Sequence, residues 1–170
     1  MRILGIDPGS RFTGFGIIEV HGDRVVCVTH GVIKALVKSG SGDFPERLGI
    51  IFSGIQELIE AYRPDQAAIE TVFLSRNPGS ALKLGQARGA AMCAAIAGGL
   101  TVSEYSPRSV KQAIVGRGSA EKTQVKHMVG VLLQVKDEMA EDAADALAVA
   151  LCHQHTQQTQ QRMNCGGPKP

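Results

Sequence analysis

The sequence contains no apolar run near the roughly 18 residues that span a bilayer, so no membrane segment is expected. It has no C-x-x-C pair. Cys27, Cys93, Cys152 and Cys165 are scattered, which argues against both a zinc ribbon and a disulfide framework. Unpaired thiols fit a reducing compartment, so a cytoplasmic protein is expected. No signal or transit segment is expected either, because Met1 leads straight into an apolar strand. There is no Trp, and no internal repeat is visible. A strong net charge is also missing. At +2, the surface as a whole is no electrostatic glove for a polyanion.

What is present is ordinary globular material. The 170 residues, 44% hydrophobic and 20% charged, suit one domain with a substantial core. The charge is unevenly spread. From Arg76 to Lys126, eight Lys or Arg face two acids, Glu104 and Glu121. Such a local excess suits a phosphate backbone, and it also suits a plain solvated face.

Arg2–Ser10 organises the rest. Its apolar run Ile3-Leu-Gly-Ile6 ends in Asp7, and Pro8-Gly9 forces a turn. This reads as a buried strand with an acid at its C-terminal lip, where ligands gather in open α/β sheets. It also reads as simple turn chemistry closing a hairpin. Arg11–Val20 and Arg24–Leu36 extend it to an antiparallel meander. Asp43–Tyr62 has helical period, with Leu48, Ile51, Ile55, Leu58 and Ile59 on one stripe. Gln66–Glu70 is a short strand that again ends in an acid. A strand, a helix and a strand after the meander predict parallel pairing with the first strand. Asp7 and Glu70 then emerge at one sheet edge.

Ser80–Ala97 is a helix dense in Ala and Gly, suited to tight packing on the sheet or to close approach of another subunit. Thr101–Tyr105 is a strand, and Ser109–Val115 a helix led by Pro107. Ser119 is placed to cap the next helix, which runs to about Val135, with Glu121 in its first turn. The last helix is expected from Met139 to about Cys152. A single folded domain over 1–153 then leaves 154–170, rich in Gln, Thr and Gly, as a disordered tail.

The decisive stretch is Glu141-Asp-Ala-Ala-Asp-Ala-Leu-Ala-Val-Ala-Leu151. Asp142 and Asp145 share a helix face. Beyond Asp145 the helix is apolar all round, which marks it as buried. An ionised carboxylate at that boundary is costly unless paired or bound to a cation, and no Lys or Arg lies within a turn. Glu138, Glu141 and Asp142 also suit an N-terminal cap cluster, but Asp145 is too deep for a cap. Asp7, Glu70, Asp142 and Asp145 together, with no His or Cys set beside them, favour hard cations, Mg²⁺ or Mn²⁺. Two such ions roughly 4 Å apart activate water and stabilise a leaving oxygen in phosphodiester hydrolysis.

Several stretches together resemble the RuvC family of Holliday-junction resolvases, within the ribonuclease H-like superfamily. They are Gly5-Ile-Asp-Pro-Gly-Ser10, Ile69-Glu70 with Phe73, Ser80-Ala-Leu-Lys-Leu-Gly-Gln-Ala-Arg-Gly89, Val110-Lys-Gln112, Gly118-Ser-Ala-Glu-Lys122 and Asp142-Ala-Ala-Asp-Ala-Leu-Ala148. The resemblance implies an α/β, ribonuclease H-like fold: a five-stranded mixed sheet, antiparallel meander plus parallel strands, flanked by helices. It implies a homodimer that resolves four-way DNA junctions by paired nicking, two Mg²⁺ per site with Mn²⁺ able to substitute, and a branch-migration helicase as partner. Asp7, Glu70, Asp142 and Asp145 match the family's catalytic carboxylates. Lys111 and Lys122 match its basic residues near the scissile strand, and Phe73 an aromatic that meets bases. Arg76, Lys83 and Arg117 join these as basic DNA-contact candidates. Unaided, Lys122 also reads as a solvated lysine and Phe73 as a core plug.

Three other functions compete. An actin-like ATPase or sugar kinase opens in the same way but needs a second lobe, for which the chain has no room. Another ribonuclease H-like nuclease, acting on hybrids or ends, needs the same acids. A branched-DNA binding module that does not cut would lack one of the four acids, and all four are present.

Overall fold

The computed structural model describes residues 1–37, 44–71 and 77–165. Five strands form one sheet in the order β3-β2-β1-β4-β5. They are β1 (Arg2–Asp7), β2 (Phe12–His21), β3 (Arg24–Lys34), β4 (Gln66–Glu70) and β5 (Thr101–Tyr105). β1, β2 and β3 are the antiparallel meander, and β1–β4 and β4–β5 are parallel, as the sequence predicts. The register Ile6↔Ile69 on β1 and β4 delivers Asp7 and Glu70 side by side at the C-terminal edge.

Helices cover both faces. On one side lie α1 (Phe44–Tyr62) and α2 (Pro78–Ala97). Their buried Ile51, Ile55, Ala87, Ala91, Ala94 and Ala95 pack on Leu4, Ile6, Ile17 and Ile69. On the other side lie α3 (Pro107–Val115), α4 (Lys122–Leu133) and α5 (Glu141–Cys165). There Val110, Val125, Val129, Leu147 and Leu151 close over Ile3, Ile18 and Ala68. The central strands are thus buried on both faces, which is why β1 is a nearly continuous apolar run.

α5 runs almost against the backbone of β1 and β2. A Cβ on Gly5 would stand 2.0 Å from the Ala146 carbonyl oxygen, and one on Gly14 would stand 1.9 Å from that of Asp142. Glycine on the strands and alanine on the helix make this approach possible. It brings the first turns of α5 onto the strand ends that carry the acids.

Two expectations need correction. The last helix does not stop near Cys152, and residues 154–165 are not an irregular tail, because α5 continues to Cys165. Polar contacts hold the extension. Gln157 donates to the Gln66 side chain, Gln158 reaches Asp23, and the Thr156 and Thr159 hydroxyls bond back to carbonyls one turn earlier. His153 is buried between Tyr105 and Gln66 at 2.8 Å from each, and Gln154 is buried beside it. Second, Ser119 does not cap α4. Glu121 takes the N-cap position, and its N–H donates to the Gln124 side chain at 3.2 Å, the reciprocal arrangement of a capping box.

Candidate active site

Asp7, Glu70 and Asp145 line one cavity of about 280 Å³, together with Pro107, Val110, Lys111, Lys122 and Val125. β1 and β4 supply the first two acids, and α5 supplies the third. Asp142 sits one turn earlier on α5. Lys111 comes from α3 and Lys122 from the first residue of α4. Gln112 fixes the loop between those helices. Its amide donates to the Gly116 carbonyl at 2.8 Å and accepts from the Gly118 N–H at 3.1 Å.

The carboxylates disturb one another. Burial first, then the charges of Glu70, Asp145 and Asp142, push the Asp7 carboxyl up to about 8. Burial first, then Asp145, raises Glu70 to about 7, while Lys122 and Lys111 pull it back. Burial, Asp145 and Glu141 also raise Asp142. Acids gathered in this way disfavour their own charge and leave a strong demand for a cation. Lys122 meets part of it, with its Nζ 3.1 Å from Asp145 Oδ2 and 3.2 Å from Glu141 Oε1. Burial alone would lower the lysine pKa, but the two carboxylates outweigh it and hold it raised. Asp145 therefore has a basic partner after all, from another helix. A reading confined to its own helix could not find it.

Among the described residues no three acidic, His or Cys side chains converge on one point as they stand. The chemistry of the donor set still fits a hard divalent cation: four oxygen donors, three of them with charge suppressed by burial and repulsion, and no imidazole or thiolate lining the cavity. Asp7, Glu70, Asp142 and Asp145 are the residues that would hold it.

Residues 3–153 match the family described as crossover junction endodeoxyribonuclease RuvC. The chain belongs to the RuvC family. A crossover junction endodeoxyribonuclease RuvC of Thiobacillus denitrificans is 56% identical over 91% of this chain and 88% of its own. That of Methylococcus capsulatus is 53% identical over 96% of each. Thermus thermophilus RuvC in complex with a Holliday junction substrate superposes with a TM-score of 0.85, at 35% identity over 94% of this chain and 96% of that one. The yeast mitochondrial Holliday junction resolvase, 18% identical with a TM-score of 0.68 over 96% of this chain and 82% of its own, shares the fold alone.

Arg117 and Lys83 do not line this cavity. Arg117 is exposed on the loop between α3 and α4. Lys83 is exposed on α2, with its ammonium 5.9 Å from the Phe44 ring centroid. Phe73 and Arg76 lie outside the described residues. Two participants were not among the candidates. Glu141 shares Lys122 with Asp145, and Arg88 of α2 reaches the end of β4. In the sequence Glu141 suits only a helix cap. Arg88 stood within the family-like stretch, but no spacing argument ties it to Glu70 eighteen residues earlier.

Proposed function

We propose that this chain resolves four-way DNA junctions by metal-dependent hydrolysis of phosphodiester bonds, as a homodimer that nicks two equivalent strands. The observation that carries this reading is the cavity in which Asp7, Glu70 and Asp145 meet under Lys111 and Lys122. It is supported by membership of the RuvC family and by the relative bound to a Holliday junction. Asp7, Glu70, Asp142 and Asp145 are the residues that would hold the metal. Bound there, two Mg²⁺ or Mn²⁺ ions would supply a nucleophilic water and charge stabilisation on the phosphoryl oxygens. Lys122 places an ammonium beside the scissile phosphate, where negative charge builds in the transition state. Lys111 offers the phosphate a second ammonium from α3. Val110, Val125 and Pro107 give the cavity a low-dielectric lining that strengthens these charges. Lys83 and Arg117 contact the DNA beyond the cavity, and Phe73 and Arg76, outside the described residues, join them as DNA contacts, Phe73 by stacking on an unpaired base.

The dimer forms through α2. Its inner face is buried alanine, while Leu82 and Ile96 are 69% and 58% exposed on the outer face. Gly85 and Gly89 lie between them in sequence with open space where a side chain would stand, and Cys93 is also exposed. That spacing makes an apolar seam with room for close helix contact, and an isologous pair matches the twofold character of a junction. The reading places the protein in the cytoplasm beside a branch-migration motor. Among the described residues, no helix is long and apolar enough to cross a membrane.

The test is cleavage and binding of a four-way junction beside duplex, hybrid and flap controls, with Mg²⁺, Mn²⁺ or Ca²⁺. Asp7→Asn, Glu70→Gln, Asp142→Asn and Asp145→Asn should each nearly abolish cutting and leave binding in Ca²⁺ largely intact. Equal loss of both in all four would mark a folding cluster instead of a site. Leu82→Asp should yield monomers by sedimentation and uncouple the two nicks. A dimer that survives it would move the interface elsewhere.

A further inference from the structure

The carbonyl of Glu70 lies at the point where the sheet ladder runs out. The β1–β4 register extends to Ile6↔Ile69, so one more rung sets Asp7 opposite Glu70. In a parallel ladder the donor that would continue from β1 is residue 8. That residue is Pro8, which has no N–H to give. The Glu70 carbonyl instead accepts from Arg88 Nε at 3.2 Å. The same guanidinium holds the Glu104 carboxylate on β5 through Nη2. The Arg88 side chain is only 19% exposed. On the β5 side, the same peptide is fixed by its Thr71 N–H, which donates to the Tyr105 carbonyl at 2.8 Å. The backbone that carries the Glu70 carboxylate is thus clamped from both sides. One clamp is a rung of the sheet, and the other is a side chain from α2.

We propose that Arg88 is a positioning residue of the active site: it holds the Glu70 end of β4 so that the Glu70 carboxylate meets Asp7 and Asp145, with Glu104 anchoring the guanidinium. The inference rests on the reading of that cavity as the metal-dependent hydrolytic site. Arg88 acts through the backbone, not through its charge on the carboxyl. The cations that lower Glu70 are Lys122 and Lys111, and Arg88 is not among them. The planar fork is essential to this role. Two acceptors on two strands are met by separate N–H groups of one rigid head, which a lysine ammonium cannot reproduce at the same spacing. A carboxylate left to swing at the end of a strand loses the convergence on which ion binding depends. Partners that orient a ligating group typically cost 10- to 100-fold in metal affinity or activity when removed.

Arg88→Ala, Arg88→Lys and Glu104→Gln should be measured in the full-length protein, with Asp7→Asn as control. Three readouts separate the roles: Mn²⁺ binding without DNA by electron paramagnetic resonance, junction affinity in Ca²⁺, and single-turnover cutting at saturating junction. Both Arg88 variants should bind Mn²⁺ about tenfold more weakly or worse and cut about 10- to 100-fold more slowly, with junction affinity close to wild type. Glu104→Gln should shift both quantities in the same direction by less. Wild-type Mn²⁺ affinity and cutting in Arg88→Lys would overturn the proposal, because charge alone would then suffice. So would weakened junction binding with normal cutting at saturation, or tighter junction binding with normal cutting in Glu104→Gln, since either makes Arg88 a phosphate contact. If Asp7→Asn binds Mn²⁺ as the wild type does, the reading of the cavity fails, and with it the role assigned here.

Discussion

Removing an acid from this site should make the metal-free protein more stable. Asp7 stands at the end of the central strand, and burial with three neighbouring carboxylates pushes its carboxyl from 3.8 to about 8. The folded state therefore holds a proton that the unfolded state has released. Below about pH 4 both states are protonated and the residue costs nothing. Between about pH 4 and 8 stability falls as pH rises, and above about 8 the whole cost is present. A shift of that size corresponds to ~5 kcal/mol. The acids titrate as a group, so this is an upper bound, and part of the cost would remain on Glu70 after substitution. Asp7→Asn, neutral at every pH, should gain about 2–5 kcal/mol at pH 8.5 in chelator. For a chain of this size that is a rise in Tm of roughly 5–15 °C. The assay is thermal melting of both proteins from pH 4.5 to 9 in chelator, repeated with Mn²⁺. The melting curves should converge at low pH and separate as pH rises, and Mn²⁺ should stabilise the wild type but not the variant. A variant no more stable than wild type at pH 8.5, or a difference that ignores pH, refutes the electrostatic account of the site.

Lys122→Ala should lower single-turnover cutting by ~100-fold or more while junction affinity changes far less. Normal cutting at saturation would make Lys122 a phosphate anchor. Lys83→Ala should leave cutting intact, because Lys83 lies over Phe44 and not in the cavity, and weaken binding if it touches DNA at all. Gly14→Ala should cost about 1–3 kcal/mol or more, because the new methyl falls on the Asp142 carbonyl. It should also slow cutting, and a melt and a cleavage assay on the same sample read both effects. Deleting 154–170 should lower Tm through loss of the Gln157 and Gln158 contacts, and an unchanged melt would show that the end of α5 carries no stability.

The elements legible in the sequence were those with a strong period or a hard stop. β1, its terminal Asp7, the α1 stripe and the buried run of α5 were of this kind, and the four acids followed from where those elements end. The extension of α5 was not legible. Its Gln and Thr residues show no apolar face, and what holds them is a set of polar contacts to β4 and the β2–β3 turn, which no periodicity announces. Gln is nonetheless a good helix former, so propensity pointed the right way where hydrophobic pattern was silent. The Lys122–Asp145 pair was not legible either, because the helix of the acid carries no base near it and the partner comes from the start of another helix. Arg88 was hidden for the same reason, since its acceptors are on two strands.

The convergence of the acids depends on strand direction more than on any local motif. Asp7 and Glu70 each end a strand, and a strand end alone fixes no partner. They meet because β1 and β4 run parallel with Ile6 beside Ile69. An antiparallel pairing of the same two strands would put the acids at opposite edges of the sheet. A slip of one residue would turn every side chain of β4 to the other face, and Glu70 would point towards α1 and α2 instead of the cavity. That register is enforced by burial on both faces, since Ala67 and Ile69 pack on one layer and Ala68 on the other. Asp142 and Asp145 are then brought in by the alanine face of α5, which can come close only because Gly5 and Gly14 offer no side chain. Each acid is brought to the cavity by the packing of its own element against the sheet, with Arg88 on the Glu70 backbone and Lys122 on Asp145, while the acids themselves repel one another. A site built in this way can hold its carboxylates together without an ion, at the stability cost that the Asp7→Asn comparison measures.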